Sequence, residues 1–275
     1  MTAKEFFAEL DSRIAKHDLL CHPFYRAWSA GELTREDLRE YARDYFHQVE
    51  AFPEYLQEFG SRLADDQLRR VVFMNRDDEM GGDEGSRPHA ELWLDFVEGM
   101  GGERADQREP LAEVKELTDF FHRVACEGAP EEALAALYAY ESQVPRVAAE
   151  KARGLHERYG ADEKTCGYFT LHTTADVHHS RIWRHQLAKL IDANPGAAEK
   201  ALVAGGNGAK ALWRALDGIE AARVARAAKS SALIHHSDIE PQRKLFGLLS
   251  YCKGFLSKSL LGFIPVSVAL CLCRE

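Results

Sequence analysis

The sequence predicts an all-α protein, and three observations predict it. Apolar residues recur at steps of three and four from about residue 3 to 227, Gly, Pro and Asp clusters fall between the runs, and no stretch alternates polar and apolar residues as a hairpin strand does. The first run covers 4–17. In the next, Thr34 supplies an N-cap hydroxyl ahead of Asp37, and Leu38, Tyr41, Ala42, Tyr45, Phe46, Val49 and Phe52 then line one face. This predicts about five turns, closed by Pro53. Similar periods predict helices over 54–63, 66–79, 89–99, 111–126, 131–158, 163–191 and 196–227. No internal repeat is present.

The chain has 275 residues, 45% of them hydrophobic, with 35 basic against 44 acidic side chains, a net charge of −9. That is ample for one large core or two modest ones, and it excludes a disordered chain. No basic stretch suits phosphate neutralisation, so nucleic acid is not an expected partner. Met1 to Glu9 lacks a basic leader with an apolar run, and the six cysteines (Cys21, Cys126, Cys166, Cys252, Cys271 and Cys273) show no paired spacing, which predicts free thiols in the cytoplasm. The division expected is a domain over 1–228 and a divergent tail over 229–275. The last 47 residues carry six basic and three acidic groups, leaving 29 against 41 for the remainder. Ser259 to Cys273 is an uncharged run of 15, short of the about 20 residues a membrane span needs, and a docked or poorly ordered tail is expected over membrane contact.

The strongest local chemistry is Leu171-His172-Thr173-Thr174-Ala175-Asp176-Val177-His178-His179. On one continuous helix, Asp176 would lie about 40° and His179 about 20° from His172, one stripe with three metal-ligand side chains. The competing reading is a helix interface in which Asp176 hydrogen-bonds the two imidazoles. Glu79 closes one predicted helix and His89 opens the next; acids before a glycine-rich loop are otherwise a solvated helix end. Glu141 follows the apolar stretch Leu134 to Tyr140, where a lone carboxylate is costly and needs a partner. Together Glu79, His89, Glu141, His172, Asp176 and His179 make three carboxylates and three imidazoles, a mixture without thiolate that suits iron or manganese and can bridge two metals in a helical bundle. Gly205-Gly206-Asn207-Gly208 reads as a turn, since no strand precedes it to make a phosphate loop.

The segments His22–Thr34, Tyr41–Tyr45, Ala51–Leu56, Tyr138–Arg146, Glu150–Leu155 and Ala175–His179 resemble, in order, the chlamydial protein associating with death domains and its bacterial homologues. These are haem-oxygenase-like dimetal oxidases, related in fold to the pyrroloquinoline-quinone synthase and thiaminase II branches. The resemblance covers about residues 5–225 and not the tail. It implies a haem-free bundle of seven or eight helices, a dinuclear iron or iron–manganese site, dioxygen and a reductant, and formation of 4-aminobenzoate for folate. Carried onto this sequence, it makes Glu79, His89, Glu141, His172, Asp176 and His179 the ligands, Tyr25 the tyrosine consumed with Tyr41 beside it, and Lys151 the amine donor. Residues alone would make Tyr25 and Tyr41 core aromatics and Lys151 a solvated helix residue. The segment between Glu79 and His89 is three residues longer than the family pattern, which leaves Asp78, Asp83 or Glu84 as substitutes for Glu79. A homodimer acting on small molecules and dioxygen is expected. Competing readings are an oxidase of a separate small substrate, a host-directed death-domain-binding protein and, least supported, a thiaminase-like nucleophile at Cys126 or Cys166.

Overall fold

Capping chemistry starts the bundle. In the computed structural model, which describes residues 1–82, 86–106 and 108–255 (231–255 by backbone alone), Thr2 and Glu5 form a reciprocal box at the head of α1 (Ala3–Ala15). His22 caps α2 (Pro23–Ala30) through Nδ1, which accepts from the Phe24 N–H at 3.1 Å. Thr34 and Asp37 box the start of α3 (Arg35–Arg62) as the sequence predicts. The helix does not close at Pro53: it runs on to Arg62, absorbing the separate helix expected over 54–63. Val49, Phe52, Tyr55, Leu56 and Phe59 are each 3% exposed or less, and their continuous apolar stripe outweighs the one hydrogen bond the proline removes.

Then follow α4 (Asp66–Glu79), α5 (His89–Gly99), α6 (Ala112–Glu127), α7 (Pro130–Glu141), α8 (Val144–Tyr159), α9 (Glu163–His172), α10 (Ala175–Ala193) and α11 (Ala198–Phe255). Two of the long helices expected are broken. The 131–158 run parts after Glu141 because Pro145 has no N–H to offer the Glu141 carbonyl and its ring crowds that oxygen. The 163–191 run parts at Thr173 and Thr174, whose hydroxyls donate to the carbonyls of Thr170 (2.7 Å) and Leu171 (3.2 Å). Gly205 and Gly208 are not in a turn but inside α11, where a Cβ on Gly205 would lie 2.5 Å from Leu10 Cδ1 and 3.1 Å from the Ala135 carbonyl oxygen. These glycines let α11 approach α7 closely.

Met1–Arg223 and Val224–Glu275 form separate compact units. Within the first, α3 packs on α4, α5 and α6, α9 on α5 and α8, and α10 on α7. The core runs through Trp28, Trp93, Trp183, Tyr41 and Tyr55, all fully buried. There is no strand among the described residues. Cys21, Cys126 and Cys166 are free thiols; the side chains of Cys252, Cys271 and Cys273 and the uncharged run 259–273 lie outside the described residues. Among described residues no helix is long and apolar enough to cross a membrane.

Candidate metal centre

All six candidate ligands sit at helix ends. Glu79, Glu141 and His172 are the last residues of α4, α7 and α9, His89 is the first of α5, and Asp176 and His179 lie in the opening turns of α10. The breaks in the predicted long helices therefore fall at the site. Three helix C-termini, with their negative dipole ends, converge there and favour a cation. His172 is not on one helix with Asp176 and His179, as the spacing suggested; the kink at Thr173–Thr174 lies between them, and the three still converge.

Each of the six is 5% exposed or less. Ligand atoms of Glu79, His89 and His172 lie within 4.8 Å of one another, and so do those of Glu79, Asp176 and His179. Glu79 belongs to both groups, the position of a carboxylate bridging two ions. Glu141 stands outside both, with Oε1 3.9 Å from His179 Nδ1. Asn75 Nδ2 donates to its Oε1 at 3.1 Å and Trp183 Nε1 donates to its Oε2, so both oxygens are aimed.

Two nitrogens test whether the site suits metal. His89 Nδ1 lies 2.7 Å from Glu79 Oε2 and His179 Nδ1 lies 3.4 Å from Asp176 Oδ1, yet neither buried nitrogen has hydrogen-bond geometry to any partner. They face their neighbours as atoms sharing a third centre do. The outer nitrogens are engaged: His172 Nδ1 meets the Tyr168 carbonyl at 2.7 Å and His179 Nε2 meets Asp78 Oδ2 at 3.1 Å, which leaves Nε2 of His172 and Nδ1 of His179 free to ligate. No cysteine joins these groups among the described residues. The set fits a pair of iron or manganese ions rather than structural zinc.

The buried acids and imidazoles shift one another's proton affinities. Burial and neighbouring carboxylates push Glu141 up to about 8, with His179 opposing. Burial lowers the basicity of His179, but Asp176, Glu141 and Asp78 outweigh it and raise it. Burial pushes Glu79 up, and His89, His172 and His179 more than reverse this. Asp78 is no substitute for Glu79: its side chain is 57% exposed and acts on the far side of His179. Asp83 and Glu84 lie outside the described residues.

Beside the centre is a second polar group. Tyr168 stacks on His172 with ring centroids 3.9 Å apart. Tyr168 also lines a cavity of about 30 Å³ together with Tyr25, Tyr45, Trp93, Tyr140 and Lys151. Lys151 is not solvated but 5% exposed, on the inner face of α8. Its Nζ lies 4.4 Å from the centre of the Tyr25 ring and donates to Tyr41 Oη, and the two phenol oxygens are 3.1 Å apart. Burial drives the amine well below its usual basicity and both phenols well above theirs. Sequence reasoning missed Asn75, Trp183 and Tyr168. Asn75 and Trp183 stand four residues from Glu79 and His179, one helical turn along the ligand face, a signal readable once those ligands are assigned.

The sequence pattern of a family described as iron-containing redox enzyme matches residues 39–213. A 4-aminobenzoate synthase of Chlamydia muridarum is 41% identical over 179 residues, covering 64% of this chain and 75% of that protein. One of Nitrosomonas europaea is 37% identical over 231 residues, 80% of this chain and 92% of the relative. Among solved structures, a haem-oxygenase-like domain of unknown function from Shewanella denitrificans superimposes with a TM-score of 0.67 at 15% identity, covering 80% of this chain and 92% of that one.

Proposed function

This chain belongs to the haem-oxygenase-like family of iron-containing redox enzymes, and from that premise we propose that it forms 4-aminobenzoate, taking the ring from its own Tyr25 and the nitrogen from Lys151. One observation carries the reading. The cavity where Tyr25 and Lys151 meet has a volume of about 30 Å³, room for about one water and far too little for a separate aromatic substrate. On this side of the centre the groups available to react are the chain's own. This favours self-consumption over oxidation of a separate small molecule.

Two ions, iron with iron or iron with manganese, would be held by Glu79, His89, Glu141, His172, Asp176 and His179, and with dioxygen and a reductant would supply the oxidising power. The remaining work falls to this chain's side chains. Burial holds Lys151 uncharged, so its nitrogen keeps the lone pair for a C–N bond to the ring carbon that loses the phenol oxygen, while oxidation by dioxygen would break the Lys151 Cε–Nζ and Tyr25 Cα–Cβ bonds and leave Cβ as the carboxylate. The 4.4 Å separation sets that amine against the Tyr25 ring before reaction. Tyr41 accepts from Lys151 and shares a hydrogen bond with Tyr25, so it is placed to pass a proton between them, giving up its own as it takes one. Tyr41 does not line the cavity and Tyr25 does, which supports the relay for Tyr41 and the sacrifice for Tyr25. Trp28, Trp93 and Phe169 exclude water.

The test is single-turnover mass spectrometry. Protein loaded anaerobically with iron, or with iron and manganese, and then given dioxygen should release at most one 4-aminobenzoate per chain, with ¹⁵N when lysine is labelled and changes of mass confined to the peptides holding Tyr25 and Lys151. Tyr25→Phe should abolish product with metal stoichiometry retained, and Tyr41→Phe should reduce it about ten- to a hundredfold. Undiminished product from Tyr25→Phe, or many turnovers per chain, would overturn the reading.

A further inference from the structure

Grooves touch the centre on two sides, one lined by His89 and His179 at the starts of α5 and α10 and one along the α4–α10 seam. Between α4 and α10 runs a groove of about 340 Å³ floored by Val71, Met74, Asn75, His179, Ile182 and Trp183. Three of these belong to the centre: His179 is a candidate ligand, and Asn75 and Trp183 hold Glu141. The rest are apolar, and Met74 is 61% exposed, uncommon for so large an apolar side chain.

Around this floor stand Arg181 and, paired with His179, Asp78. From its start through Lys189, the exposed positions of α10 are His178, Arg181, His185 and Lys189, spaced three, four and four apart. They form a stripe about 16 Å long at 1.5 Å per residue, whose full positive charges are Arg181 and Lys189. Arg70, also exposed, stands one turn before Met74 on α4. Asp77 and Asp78 are nearby but engaged, with Arg76 and His179 respectively. A basic stripe stands out on a chain of net charge −9.

We propose that the α4–α10 groove is the docking surface for an acidic one-electron carrier protein that delivers reducing electrons to the centre. This rests on the redox reading above. A buried centre cannot collide with its donor, so electrons enter through a thin wall, and in this groove a candidate ligand, His179, itself forms part of the floor. Each encounter oxidises the carrier by one electron and reduces the centre by one. An apolar contact ringed by charge opposite to the partner's is the form a brief redox encounter takes: small in area, fast to form and sensitive to salt. A second copy of this chain is a poor occupant, since a two-fold contact over α10 brings the basic stripe near itself.

The test is binding of a plant-type [2Fe–2S] ferredoxin, an acidic carrier, to the full-length iron-loaded chain by calorimetry. Binding is expected at low ionic strength, weakening about tenfold or more between about 20 and 200 mM salt. It should weaken by a like factor in the double variant Arg181→Glu, Lys189→Glu, with iron content and circular dichroism unchanged, and basic cytochrome c should not compete. Absent ferredoxin binding, binding indifferent to the charge reversal, flavin mononucleotide occupying the groove instead, or a dimer dissociated by the reversal would each overturn the proposal. Failure to take up iron would instead sink the redox reading, because ferredoxin binding can be measured on the unloaded chain.

Discussion

Six aromatic rings stand within 6 Å of the Lys151 amine, which donates to Tyr41 Oη. Ring faces attract a cation, but burial without a carboxylate costs more, and the neutral amine prevails. Between its depressed native value and the ordinary 10.5, the unfolded chain carries a proton on Lys151 that the native one lacks, so this residue's destabilising effect shrinks as pH rises toward 10.5. Lys151→Met should therefore raise stability at neutral pH by about 1–3 kcal/mol, and denaturant melts should show the gain fading as pH approaches 10.5. The raised phenols of Tyr25 and Tyr41 act equally in both proteins and cancel in the difference. Nothing in the local sequence marks Lys151 as buried: it lies on a polar stretch of α8 and is covered by residues from α2, α3, α5 and α9. Only the family resemblance singled it out. The metal ligands were more legible, since Glu141 in an apolar run and paired histidines one turn from an acid are anomalies a core must resolve.

At the scale of the element, helix type was readable throughout and helix ends were not. Periodicity gives the buried stripe, but whether a helix continues depends on what packs around it: α3 passes Pro53 because both sides of the break are buried, whereas α7 stops at Glu141 where Pro145 meets a site. Close approach is equally invisible in a single helix. Gly154 on α8 faces Trp28 on α2, and a Cβ there would lie 2.8 Å from the indole Cδ1 and Nε1. That indole is 1% exposed and its Nε1 donates to the Lys151 carbonyl at 3.3 Å, so it cannot swing aside. Gly154→Ala should cost about 1–3 kcal/mol in a thermal or denaturant melt. It should also lower product yield by prising α8, with Lys151, from α2, with Tyr25.

Over the whole molecule the centre joins α4, α5, α7, α9 and α10, so metal occupancy and global stability are linked. Metal binding must expel the protons held by Glu141, raised to about 8, and by His179, raised to about 10. The gain in Tm on adding iron should therefore grow as pH rises through about 8 to 10 and disappear in acid, where ligands are protonated; differential scanning fluorimetry at several pH values checks this. An all-α bundle was legible because its signal is repeated along the chain, while the meeting of helix ends is a property of the tertiary arrangement alone. The cramped aromatic pocket has a further consequence for the life of the protein. Tyr25 is 3% exposed and wedged among Phe24, Trp28 and Tyr41. A chain that has surrendered this ring resembles a large-to-small core substitution, weakened by about 3–5 kcal/mol. Each molecule would then carry its own expiry mark, the used ones melting earlier and falling first to proteases while unused ones persist.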